Sequence, residues 1–175
     1  MKKQLFSVLV LLFAFVSLSA IAQEKEKEDK SKRPSPPAVA EGTIDGIKVK
    51  VEYGAPSARG RKMIGGIEKF GTVWRTGANE TTTFEVDKDA KIEGKALPKG
   101  KYALFTIPGE TEWTIIINKT IKWGAYDYKE AEDVLRVTVP AGKTDKFVEK
   151  FNIAVAGSQV VLTWENTKVA FKVSK

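Results

Sequence analysis

Between Tyr53 and Glu80 the chain concentrates side chains able to hold a ligand: Tyr53, Arg59, Arg61, Trp74, Arg75, Asn79 and Glu80. Guanidinium forks match carboxylate and phosphate oxygens, and flat aromatic faces take up sugar or other planar rings, so this set suits a glycan or an anionic small molecule. The competing reading is structural. An arginine paired with Glu52 or Glu80 would lock the segment while Trp74 fills the core, and residue types alone favour this clamp by a small margin. A second aromatic group comprises Trp113, Trp123, Tyr126 and Tyr128. Trp113 sits in an apolar run and reads as core. For Trp123 and Tyr126, packing beneath a loop is preferred to an exposed platform for a sugar ring.

Catalytic chemistry has less to work with. The sequence contains no cysteine and no histidine, which removes thiol and imidazole metal ligands, a cysteine nucleophile and a histidine base. Ser57 lacks the G-x-S-x-G elbow and has only Lys62 as a candidate activator. Glu80 could serve glycoside hydrolysis only with a second acid across a cleft; Glu52, Asp127 and Asp133 are the candidates, and spacing selects none of them. Asp87, Asp89 and Glu93 lack the spacing of a calcium loop and read as turn caps. No metal site and no cofactor is expected. A non-catalytic binding domain is therefore preferred to two alternatives, a hydrolase acting on envelope glycans through Glu80 and a structural or assembly module of the cell envelope.

The elements around these residues read as strands. Ile47, Val49, Val51 and Tyr53 alternate with Lys48, Lys50 and Glu52, a period of two with one buried face, and Asp45-Gly46 before them is a hairpin signal. Further strands are expected at 72–76, 81–86, 91–97, 101–107, 112–118, 134–139, 147–155, 160–165 and 168–173. Turns are expected between them, including Pro140-Ala141-Gly142 and Asn166-Thr167. The runs YALFTI and WTIIIN are apolar on consecutive residues and predict central strands covered on both faces. Only YDYKEAED, 126–133, has helical content, enough for one or two turns. The fold class that follows is all-β, an antiparallel β-sandwich (jelly-roll-like) with one long Gly/Arg-rich loop and at most one short helix.

The chain has 175 residues, a length that suits one domain. Lys2 and Lys3, the apolar run from Leu5 to Leu18 and the small-x-small pattern Ala20-Ile21-Ala22 predict a signal peptide over 1–22. Residues 23–42 alternate acid and base and then turn Pro-rich, predicting a disordered tether, with a single β-sandwich domain over 43–175. An exported protein, periplasmic or extracellular, follows, with no stable membrane anchor after cleavage. The net charge of +7 would permit nucleic-acid binding, but export makes a solvated basic face the preferred reading, and no nucleic-acid partner is expected. Oligomeric state is not encoded in any pattern seen.

Several strings are distinctive: P-S-x-x-G-R-K at 56–62, G-x-V-W-R-T-G-A-N-E at 71–80, L-P-K-G-K-Y-A-L-F-T-I-P at 97–108 and E-W-T-I-I-I-N-K at 112–119. W-G-A-Y at 123–126, D-V-L-R-V at 133–137 and W-E-N-T at 164–167 complete the set. Together they resemble a secreted bacterial family known as domain of unknown function 2911, over nearly all of the chain after the tether. The resemblance implies an exported domain and transfers no activity.

Overall fold

The computed structural model describes residues 28–175. The expected signal peptide and the opening of the tether lie outside the described residues. Nine strands form: β1 (Pro37–Ile44), β2 (Ile47–Gly54), β3 (Thr83–Val86), β4 (Ala90–Ile92), β5 (Lys95–Leu97), β6 (Gly100–Ile107), β7 (Glu112–Asn118), β8 (Asp133–Ala156) and β9 (Gln159–Ser174). All pairings are antiparallel, in the order β1-β2-β3-β6-β7-β8-β9-β4-β5. The all-β expectation is met, and the only helical turns among the described residues are short 3-10 segments at Lys30–Lys32 and Glu130–Glu132.

Asp45 and Gly46 both take positive φ, 50° and 76°, the twist a two-residue hairpin needs between β1 and β2. In β2 the alternation predicted from sequence is realised, with Ile47, Val49, Val51 and Tyr53 buried. The single sheet folds over on itself. Phe84 of β3 and Phe171 of β9 have three strands between them in the sheet order, yet their ring centroids are 5.8 Å apart. In a flat sheet such strands would lie roughly 19 Å apart. The halves therefore face each other as two layers around one core.

β8 makes the corner. Residues 133–140 pair with β7 and 141–156 with β9. The sequence reading placed turns at 140–142 and 166–167 and split each of β8 and β9 in two; instead the strands run on. Pro140, without an N–H, stands where β8 changes partners, and register shifts after Lys143 and Val148 bend the ribbon, as bulges do. Two further expectations are corrected. The run 91–97 is two strands, because Glu93 and Gly94 (φ 47° and 81°) turn the chain back. Residues 72–76 are not a strand: only Trp74 bridges, to Thr106.

The tether boundary also moves. Pro37–Ile44 is β1, paired along its whole length with β2, so residues 37–42 belong to the sheet. The proline-rich composition hid this, but Pro37 occupies the first strand position, where a missing N–H is tolerated. Residues 28–36 are likewise held against the domain, as described below.

The middle of the sheet positions the site. Ala103, Leu104, Phe105 and Thr106 of β6 and Ile115, Ile116 and Ile117 of β7 are all buried, as the consecutive apolar runs implied. Leu104, Ile115 and Ile117 face the main core. Ala103, Phe105 and Ile116 form a second, smaller cluster covered by Val73, Ala125 and Tyr128. That cover fixes the loop between β7 and β8 to the back of the sheet.

Candidate functional site

The long Gly/Arg-rich loop connecting β2 to β3, residues 55–82, is pinned along its length. Ala58 N–H donates to the Glu149 carbonyl and Phe151 N–H to the Pro56 carbonyl, both at 2.8 Å. Glu165, held at φ 51°, accepts from the N–H groups of Met63 (3.0 Å) and Ile64 (2.8 Å). Trp74 and Thr106 exchange backbone bonds of 2.8 and 2.9 Å.

The seven residues singled out in the sequence scatter. Trp74 is 4% exposed, stacked on Trp164 at 5.7 Å and edge-on to Trp113 and Phe151. Tyr53 is buried and bridges to β8, its hydroxyl accepting from Ile153 N–H at 3.0 Å. Arg61 donates to the carbonyls of Ala58 and Ser57, each at 3.0 Å, and Arg59 donates to the Pro34 carbonyl at 3.3 Å. Those two arginines are fastenings of the loop. Arg75 is half-buried behind the β7–β8 loop. Asn79 and Glu80 remain, and with Tyr53 they line one cleft.

That cleft has a volume of about 520 Å³. Its floor is the β1–β2 edge near Ala38 and Tyr53, one wall carries Asn79 to Thr81, and the other is Ile121, Lys122 and Trp123. Thr81 joins the walls, its hydroxyl bonding to the carbonyls of Lys122 and, at 2.9 Å, Gly124. Three large apolar side chains stay open to solvent here, Val39 at 55%, Ile121 at 44% and Trp123 at 56%. Tyr126, beyond Gly124 on the same loop, is 89% exposed. The expectation that Trp123 and Tyr126 pack beneath the loop is thus overturned, because Ala125 and Tyr128 are the residues that cover the sheet. Val39 and Ile121 were missed: each sits alone among polar or small neighbours, a signal that could have marked an apolar residue without a core face.

Glu80 is the centre of a charge cluster. Lys30 donates to it at 2.7 Å, and Arg33 Nη1 reaches both carboxylate oxygens at 3.0 and 2.9 Å. Asn79, with φ 63°, donates to the Ser35 carbonyl at 2.8 Å. Residues 28–36 are therefore a strap laid along the cleft and held by residues 79 and 80. The hydrogen bond from Lys30, aided by Arg33, holds the Glu80 carboxyl down to about 2. Glu52, also in the cleft, is lowered by Lys101 and Lys50. Both carboxyls are thus shifted toward the ionised form, the opposite of the upward shift that suits a general acid for a departing glycosidic oxygen. Among the described residues no group of acidic side chains is arranged to hold a metal ion.

The strap's contribution depends on pH with a definite sign. The folded pKa of Glu80 lies below its ordinary value of 4.5, so the pairing stabilises the fold above pH ~4.5 and is lost as pH falls toward 2. The carboxylate is 42% exposed, and solvent screening holds the net value to about 1 kcal/mol or less. Glu80→Gln should lose that amount at pH 7 in urea unfolding, with wild type and variant converging by pH 2. A gap that persists at pH 2 would assign the loss to packing.

The family model described as Protein of unknown function (DUF2911) matches residues 35–173. The chain belongs to this family. Neither a curated protein nor a solved structure matches it. The DUF2911 match opens at Ser35, before β1, and takes in both walls of the cleft. Of the strap it includes only the end, Ser35 and Pro36; Lys30 and Arg33, which bind Glu80, lie ahead of it.

Proposed function

We propose that this chain is an exported, non-catalytic binding domain whose cleft takes up a glycan. One observation carries the reading: Trp123 stands half exposed at the mouth of a cleft whose opposite wall presents an amide and a carboxylate. An indole left in water beside a concave surface is a recognition feature. Its flat face matches the C–H face of a sugar ring, and the part-exposed Glu80 carboxylate and the Asn79 amide oxygen offer acceptors for ring hydroxyls. Charge argues against a simple anionic ligand in this cleft. Lys30 and Lys122 are balanced there by Glu52 and Glu80, and Arg59 and Arg61 are spent on backbone carbonyls. The downward shift of both cleft carboxyls argues against the hydrolase.

A glycan array on the purified chain, followed by calorimetric titration of the hits, tests this. Trp123→Ala should weaken binding at least tenfold, about 1.4 kcal/mol, with the melting temperature unchanged because the ring contributes little to the core. A blank array, or a variant that binds like wild type, sinks the reading.

A further inference from the structure

We propose that the glycan is an acidic one, and that Arg75 seats its carboxylate at a subsite reached across the β7–β8 loop from the cleft. The inference rests on the glycan reading above and adds the ligand's chemical class.

Arg75 differs from every other arginine in the chain. Arg33 and Arg136 are held by carboxylates, and Arg59 and Arg61 by carbonyls. Arg75 has no hydrogen-bond partner among the described residues, and its Nε is closed off from solvent without one. Glu68 lies near enough to feel its charge, yet the two form no ion pair, and burial raises the Glu68 pKa. The guanidinium is thus left without an ion pair or a hydrogen bond among the described residues. Its planar fork of donors is the protein group best matched to a carboxylate.

The surroundings connect this group to the cleft. Gly124 takes φ +66°, and a Cβ placed on it would stand 3.3 Å from Arg75 Nη1 and 3.5 Å from the Tyr126 ring. A cation and an exposed aromatic therefore flank a backbone position that has no side chain between them. The residue before it is Trp123, which lines the cleft. Thr81 binds the carbonyls on both sides of Trp123, so the loop is a fixed ridge with Trp123 facing the cleft and Tyr126 and Arg75 beyond. A sugar stacked on Trp123 and extended along that ridge brings its next ring to Tyr126 and an acidic substituent to Arg75.

The test uses the purified chain titrated with uronic-acid oligosaccharides, each paired with its carboxyl-reduced form. Wild type should bind the acid forms at least tenfold more tightly. Arg75→Gln should abolish that ratio, Arg75→Lys should keep part of it by charge without the fork, and Trp123→Ala should weaken both forms. Equal binding of acid and reduced forms by wild type overturns the acidic class and leaves the glycan reading standing. A ratio that survives in a folded Arg75→Gln overturns the assignment to Arg75. Failure of every oligosaccharide overturns both readings.

Discussion

Trp74→Ala should lower the unfolding free energy by about 3–5 kcal/mol, a large part of the roughly 5–15 kcal/mol that a domain of this kind possesses. The indole is 4% exposed and joins three other rings, those of Trp113, Phe151 and Trp164. These rings come from β7, β8 and β9 and from the long loop, so removing one leaves a cavity that no single neighbour can fill. The Nε1 donor to the Gly77 carbonyl, at 3.1 Å, is lost as well, leaving a buried acceptor unpaired. Equilibrium unfolding in urea is the measurement. Trp74→Phe should recover part of the loss by restoring a ring without the donor. A loss below about 1 kcal/mol would mean that the loop is not part of the core. Trp123→Ala in the same assay serves as contrast: the two tryptophans should separate into one that holds the fold and one that meets the ligand.

Gly54→Ala should destabilise the chain by about 3 kcal/mol or more and abolish glycan binding with it. A Cβ on Gly54 would lie 2.1 Å from the Ala78 carbonyl oxygen, and backbone cannot swing aside as a long side chain can. The approach is close because Ala78 N–H donates to the Gly54 carbonyl at 3.2 Å, joining the end of β2 to the turn before Asn79 and Glu80. Alanine at 54 must push that turn away, and with it one wall of the cleft. The cost is steric, since Gly54 is not among the residues of positive φ. Gly60, with φ +72° and nothing within 4 Å of an added Cβ, is the control: its alanine variant should lose a smaller, conformational increment of about 1 kcal/mol and keep its cleft. If Gly54→Ala melts with wild type and still binds, the backbone contact does not shape the site.

The signals that could be read from residues were local ones. Alternation at Ile47 to Tyr53 predicted β2 with its buried face, and the consecutive apolar runs of β6 and β7 predicted strands covered twice. Turn residues were less reliable. Asp45-Gly46 does turn the chain, whereas Pro140 to Gly142 and Asn166-Thr167 lie inside bent strands. A proline signals only a missing N–H and a fixed φ; whether the chain turns back or changes partner there is decided by what lies across from it. The same limit applied to residues 37–42, whose prolines masked a strand that β2 pairs from end to end.

The site was half legible for a related reason. Arg59, Arg61, Trp74 and Arg75 share a loop and a composition, yet their destinations are a strap carbonyl, a loop turn, the core and the far side of the β7–β8 ridge. Sequence by itself determined the all-β class, the clearly patterned strands β2, β6 and β7 with their buried faces, and the exclusion of thiol and imidazole chemistry, because period-two patterning, apolar runs and residue inventory are properties of the chain alone. Tertiary structure decided which side chains meet. Folding one sheet over itself sets Tyr53, Asn79 and Glu80 opposite Trp123 and lays residues 28–36 along them. A long charged side chain has no partner until such contacts form, and distance along the chain does not say which carboxylate or carbonyl it will find.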